Sequence, residues 1–312
     1  MLVIRKILVP TDYSTCAEGA FMHALHLARH YGAEVHLLHV VEGPPGFEAD
    51  RFPGGDYLPE SLRAVPTMEA PPAEEVERWN GITIRRLREH NTEPTAAILA
   101  YGRQHDVDLI VMGTHGNRSM SRFLSDLEDQ WLIGLTAEQV IKLADRPVFT
   151  VGPRSSRMPE LVRHLLVPVD FSPFARRTIA YARDLAGHYE AQLHFLHVVE
   201  EGLPADREPL AARLRQWAAS PGGEPPAASF RVRTGDPAAV ILEEAAGLDQ
   251  GMIVLSSHGR KGLEHHQLGT EAERVVRAAP WPVFLDRAAG KSLLEVPAGG
   301  EYQESFFDRL KT

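Results

Sequence analysis

Residues 5–14, RKILVPTDYS, recur as residues 163–172, RHLLVPVDFS, with six of ten positions identical at an offset of 158. Self-similarity at one fixed offset marks a tandem duplication, and it governs how the rest of the chain is read. The same offset lays residues 35–42, VHLLHVVE, on residues 193–200, LHFLHVVE. Residues 109–116 then meet residues 252–259 at an offset of 143, so the first copy carries an insertion. It falls in residues 43–80, where Pro44, Pro45, Pro53, Pro59, Pro66, Pro71 and Pro72 exclude a regular helix and point to a long surface excursion. Eight further residues are inserted after Gly116. The expected organisation is a first domain at 1–152, a second at 161–287 and a tail at 288–312.

Within each copy, short apolar runs alternate with helical patterns. The runs are residues 7–9, 35–41, 82–88, 109–112 and 148–151, then 165–169, 193–199, 230–234, 252–255 and 283–285. Continuous apolar runs suit parallel strands covered by helices on both faces. Between the first two, Ala17, Ala20, Phe21, Ala24, Leu25, Ala28 and Tyr31 recur with a helical period, which predicts an amphipathic helix over 14–31. The expected fold class is α/β, with two tandem, doubly wound, Rossmann-like parallel sheets of five strands each.

Composition narrows the function. The chain has 312 residues, 44% of them apolar, enough for two cores at roughly 150 residues per domain. Its 33 basic against 42 acidic residues give a net charge of −9 with no Lys/Arg run, so a phosphate backbone is repelled and nucleic acid is not an expected partner. No uncharged apolar run approaches the roughly 18 residues of a membrane span. Residues 1–10 read as a strand rather than a leader, and the lone Cys16 cannot close an intramolecular disulfide, so a cytoplasmic chain is expected.

Ligands of an open parallel sheet bind beyond the carboxyl ends of its strands, where strand order reverses. Two loops per copy fall there. After the first strand stand Asp12 and, behind Pro168 and Val169, Asp170. After the fourth stand Gly113, Thr114, His115 and Gly116, matched by Ser256, Ser257, His258 and Gly259. A second glycine, Gly134 or Gly269, then opens the helix before the last strand. Gly259, nine intervening residues, Gly269 and Thr270 make a phosphate cradle, because bare backbone N–H groups and a helix N-terminus attract anions. Asp170 opposite would repel phosphate and suits ribose hydroxyls or an adenine edge. A carboxylate facing a cradle implies a nucleotide. Asp12 and Asp170 also read as turn or N-cap residues, and the glycines as turns of a site without a ligand.

The strand-end Asp, the L-H-V-V strand, and the G-x2-G-x9-G-S/T pattern ahead of A-E-R-V and a P-V strand resemble the universal stress protein family in its tandem form. The resemblance covers nearly all of residues 3–287. It implies an adenine nucleotide alpha hydrolase-like fold whose halves pack as an intramolecular pseudo-dimer through residues 148–151 and 283–285. It further implies adenosine contacts from Val169, Asp170, Val198 and Leu255, phosphate contacts from Gly259, Gly269, Thr270 and Arg260, and further cofactor-binding positions at Pro168, Ser256 and Glu271. The first-half counterparts are Asp12, Val40, Gly113, Gly116 and Gly134. The implied cofactor is ATP, or AMP or ADP, with or without magnesium. The implied role is a stress-response regulator, pseudo-dimeric or homodimeric, with an unidentified protein partner. Two departures favour the second half: seventeen residues separate Gly116 from Gly134, and Leu135 stands where the pattern has Ser or Thr. In the second half only the first glycine is replaced, by Ser256. A nucleotide-free interaction scaffold is the alternative.

Several features read as structural. His23, His26 and His30 lie within about 60° on the helix face opposite its apolar stripe, a face expected to be solvated, and no metal is assigned to them. His36 with His39 and His194 with His197 point to opposite faces of their strands, as partly buried imidazoles. Cys16 has no basic neighbour to activate it. Residues 302–310 read as a short docked helix. P-loop, zinc-protease and serine-hydrolase motifs are missing from the sequence. Beside the cradle, His115 and His258 could move a proton, so slow ATP hydrolysis is the most that is expected.

Overall fold

The computed structural model describes residues 1–41, 74–116, 133–155, 158–202, 206–219, 228–258, 269–287 and 290–295. The first half contributes β1 (Lys6–Pro10), β2 (Glu34–Val41), β3 (Glu74–Trp79), β4 (Ile82–His90), β5 (Leu109–Gly113) and β6 (Val148–Val151). The second contributes β7 (His164–Pro168), β8 (Gln192–Val199), β9 (Ala228–Thr234), β10 (Gly251–Ser256) and β11 (Val283–Asp286). They form one sheet in the order β3-β4-β2-β1-β5-β6-β11-β10-β7-β8-β9. Within each half the pairings are parallel except for β3 on β4, and the halves join where β11 runs antiparallel to β6. The apolar runs thus become strands, and the two sheets join through residues 148–151 and 283–285, as the resemblance implied, into one continuous sheet. The first half has six described strands where five were expected. The extra one, β3, lies inside the expected excursion and returns through Asn80 and Gly81, at φ of 48° and 84°. Positive φ at both central residues is the tight hairpin turn that Asn-Gly favours. The remainder of the excursion, the insertion after Gly116, residues 259–268 and the expected helix at 302–310 lie outside the described residues.

Helices cover both faces. On one lie α1 (Thr15–Tyr31), α4 (Ala175–Tyr189) and α5 (Arg207–Ala218); on the other lie α2 (Pro94–Gln104), α3 (Leu135–Leu143), α6 (Pro237–Ala246) and α7 (Thr270–Ala278). Ser14 Oγ caps α1 by accepting from Ala17 N–H at 3.3 Å. Gly32, at φ 68°, ends the helix, with its N–H donating to Ala28 O. The predicted stripe of Ala17, Ala20, Phe21, Ala24, Leu25 and Ala28 is buried. Pro173 follows Ser172 in the second half, and α4 starts only at Ala175.

The joint between halves repeats about a local two-fold. Phe149 and Phe284 pair in register with ring centroids 6.3 Å apart, both fully buried, which is about 1.5–3 kcal/mol of transfer energy each. On one face Lys142 bridges Glu138 and Glu273, while Arg277 bridges the same two acids. Arg287, just past β11, donates to the final carbonyls of α3: Ala144 at 2.8 Å, Ile141 at 3.1 Å and Lys142 at 2.9 Å. On the other face α1 meets α4. His30 and His188, which match across the duplication, have ring centroids 4.0 Å apart, and His26 lies 4.5 Å from His188. Tyr31 OH donates to Asp184 Oδ1 at 2.7 Å, and Leu293 N–H returns over the first half to Tyr181 OH at 2.8 Å.

This corrects the reading of the first-helix histidines as a solvated set. His23 is fully buried with its ring 5.1 Å from Phe149 on β6 of the same half, while His26 and His30 face α4 of the other half. Among the described residues, no three metal-ligating side chains converge to hold an ion.

Candidate functional site

The second-half candidates gather on three neighbouring strands. β10, β7 and β8 are adjacent and parallel, and their carboxyl ends carry Leu255 and Ser256, then Pro168, Val169 and Asp170, then Val198. Strand order reverses between β7 and β10, the switch point where such sheets bind ligands. Val169, Val198 and Leu255 are buried apolar walls, and Asp170 is partly exposed. Gly259 and Arg260 lie outside the described residues.

One carboxylate oxygen of each strand-end Asp is engaged locally. Asp170 Oδ1 accepts from Ser172 N–H at 3.0 Å and Asp12 Oδ1 from Ser14 N–H at 3.0 Å, an Asx-turn in both halves. The residues enclosed, Phe171 and Tyr13, take φ of 61° and 60°, conformations uncommon for bulky side chains. Phe171 packs against His197, with Trp217 edge-on at 5.4 Å and the Arg213 guanidinium 4.3 Å above its ring. Asp12 is therefore a turn residue and not the N-cap, which is Ser14. Its counterpart Ser172 has a hydroxyl 1% exposed and with no partner among the described residues.

Beyond β10, Gly269 N–H donates to Ser257 O at 2.9 Å, and a Cβ at Gly269 would sit 3.1 Å from that oxygen. Gly269 is the N-cap of α7 and supplies no side chain, so among the described residues no side-chain cap bonds the first turn. Thr270 and Glu271 follow on the exposed rim. Glu271 accepts from Ala238 N–H at 3.2 Å and from Arg274 at 3.1 Å, tying α7 to α6. Gly134 N–H repeats the bond to Thr114 O at 2.8 Å in the first half, and Leu135 beside it is 78% exposed. There the two features touch: a Cβ on Gly116 would overlap Asp12 Oδ2. Gly113 packs against the start of α1, and Val40, near the end of β2, is half-buried.

The sequence reading missed two arrangements. Ser257 Oγ shares a 2.8 Å hydrogen bond with His258 Nδ1, and Thr114 Oγ1 shares one of 2.8 Å with His115 Nδ1. Both hydroxyls are buried, so these pairs brace the turn and present no exposed nucleophile. The repeat of hydroxyl-His in both copies was the visible signal. Under the second-half turn, Asp286 is fully buried and accepts from Arg177 at 2.7 and 3.1 Å and from Thr178 at 3.0 Å. Burial opposes the Arg177 charge, but Asp286 outweighs it and raises the guanidinium above its usual range. The only sequence trace was the acid ending the last strand.

A duplicated, doubly wound α/β protein with matching strand-end turns is a class within which relatives can be sought. The model of the universal stress protein family matches residues 4–152 and again 162–287. This chain belongs to that family and carries its domain twice. It is 26% identical over 309 residues to a universal stress protein of Mycolicibacterium smegmatis, covering 90% of this chain and 96% of that protein. It is 30% identical over 148 residues to one from Methanocaldococcus jannaschii, covering 47% of this chain and 81% of the relative. Among solved structures, a putative universal stress protein from Pseudomonas aeruginosa superposes with a TM-score of 0.64 at 19% identity, covering 91% of this chain and 93% of that one. One from Archaeoglobus fulgidus gives 0.61 at 20% identity, covering 91% and 98%. No helix among the described residues is long and apolar enough to cross a membrane.

Proposed function

We propose that the second half, residues 161–287, binds an adenine nucleotide, ATP or its AMP or ADP relatives, and that the protein acts as a cytoplasmic stress-response regulator through that occupancy. The observation that carries this reading is the convergence at one switch point of Asp170, the apolar walls Val169, Val198 and Leu255, and an α7 N-terminus with no side-chain cap. Asp170 keeps one oxygen for a ribose or adenine donor while the other holds its turn. Gly269 and Thr270 would face the phosphates, with magnesium as a phosphate counterion. The buried Ser172 hydroxyl beside the turn, without a partner among the described residues, fits a site that a ligand completes. In the first half, Gly116 lies against Asp12 and Leu135 offers no hydroxyl, so that half is assigned to the scaffold.

Occupancy would order the chain between His258 and Gly269 and so change the surface offered to a protein partner. The test is calorimetry of the full chain with ATP, with and without magnesium, on wild type and Asp170→Asn. Asn keeps the Asx-turn acceptor but removes the charge. The carboxamide then turns its NH2, which cannot accept, toward the ligand donor, and losing a charge-assisted hydrogen bond costs about 1.5–3 kcal/mol, so affinity should fall roughly 10- to 150-fold. Unchanged affinity in Asp170→Asn overturns the site. An acid extract free of nucleotide, with no thermal shift on adding ATP, favours the scaffold for both halves.

A further inference from the structure

A cavity of about 290 Å³ lies between α6 and the β7-β8-β9 edge, lined by Leu166, His194, Leu196, Arg231, Glu244 and Leu248. It sits against the middle of the strands and the C-terminal end of α6, away from the carboxyl-end crevice. It opens to solvent beside Arg233 and Glu243 and has room for a benzene-sized ring, which a cavity of about 150 Å³ accommodates.

The duplication shows what such a space is built around. The matching positions in the first half are Leu8, His36, Leu38, Leu87, Tyr101 and His105. There the Tyr101 ring is buried, hydrogen-bonds His36 Nδ1 through its OH at 2.7 Å, and stacks on His105 at 4.1 Å. In the second half a Glu replaces this tyrosine, a Leu replaces the stacked histidine and an Arg replaces Leu87. Glu244 pairs with Arg231 at 2.8 Å and with Arg233, at the edge strand. His194 shares its Nδ1 with Ser229 Oγ at 2.8 Å and its Nε2 with His164 at 3.0 Å. The phenol ring is gone, and among the described residues the space beside Glu244 and Leu248 stays open.

The lining also selects the charge of an occupant. Arg231 and Arg233 are balanced by Glu244 and Glu243. Burial, with His164 and Arg231 adding to it, keeps the His194 imidazole below its ordinary range and so neutral. A charged guest would unbalance this set, whereas a neutral hydroxyl can donate to a remaining lone pair of the Glu244 carboxylate.

We infer that this cavity is a second ligand site, independent of the nucleotide crevice, for a small neutral aromatic molecule bearing a hydroxyl, of the phenol class. Its ring would take the place between Leu166, Leu196 and Leu248 that the Tyr101 ring holds in the first half.

The probe is p-cresol, the side-chain analogue of tyrosine, titrated into the full chain and followed by saturation-transfer NMR and calorimetry. Saturable binding is expected, with toluene about tenfold weaker for lack of the hydroxyl. Glu244→Tyr recreates the first-half occupant and should abolish p-cresol binding while raising the thermal midpoint. Leu248→Phe fills the cavity from the end of α6, keeps the Arg–Glu pairs and should also abolish binding; it carries the test should Glu244→Tyr not fold. No saturable binding to wild type, or binding retained in a folded filled variant, overturns the site. Equal affinity for toluene and p-cresol overturns the hydroxyl requirement.

Discussion

Acid should loosen the seam between the two halves through the imidazoles trapped where α1 meets α4. Burial, reinforced by His26 and His30, pushes His188 down to about 3, and burial also lowers His26, with Glu160 at 3.9 Å pulling it partly back. The ring of Tyr189, the Tyr31–Asp184 hydrogen bond and Arg29 complete the surroundings. In the unfolded chain these imidazoles protonate near pH 6.5. Above that pH neither state carries the protons, and stability is full. Between pH 6.5 and about 3 the unfolded chain binds a proton that the folded His188 refuses, so stability falls with pH across that window. One and a half pH units, from 6.5 to 5.0, correspond to about 2 kcal/mol. Solvent reaches part of the cluster, which reduces this to about 1 kcal/mol. Urea unfolding at pH 7.5 and 5.0, read by tryptophan fluorescence, measures it. His188→Gln cannot gain the charge and should lose about 1 kcal/mol less than wild type between the two pH values. Parallel losses in the two proteins would refute the reasoning.

Two further outcomes follow from the joint and from the first strand-end turn. Arg287→Met keeps the aliphatic stem but strips three hydrogen bonds from the C-terminus of α3, and at about 1 kcal/mol each it should cost about 3 kcal/mol in urea unfolding. A loss under 1 kcal/mol would show that water replaces the guanidinium there. Gly113→Ala would place a Cβ 2.7 Å from the Cys16 carbonyl carbon and 2.8 Å from Ala17 N, both backbone atoms at the start of α1. Thermal melts should register about 1–3 kcal/mol of overpacking, and a neutral result means that α1 can slide.

How much was legible depended on whether a feature is local. The strands at residues 35–41 and 193–199 were readable because a doubly covered parallel strand is apolar along its whole length, and the repeat confirmed each by its twin. The Asp170 turn and the Gly269 cap were readable for the same reason: both are decided within a few residues. β3 was overlooked because the prolines of 43–72 coloured the whole stretch, although Asn80-Gly81 beside Trp79 was a hairpin signal in plain view. The faces of His23 and His26 were misjudged because what covers them is distant in sequence, Phe149 on β6 for His23 and His188 in the other half for His26, beyond any periodicity argument. Asp286 meeting Arg177 spans 109 positions, and nothing in either neighbourhood announces the other. The cavity beside Glu244 emerges only when the two copies are compared in space.

The antiparallel seam of β6 on β11 has a geometric outcome for signalling. Because every parallel strand of one copy points against those of the other, the two strand-end mouths open toward opposite poles of the molecule. A partner that grips one mouth has no direct view of the other. The phenylalanine pair and the helices flanking it lie between them, so the duplication sets two separate mouths on one slab rather than one enlarged crevice.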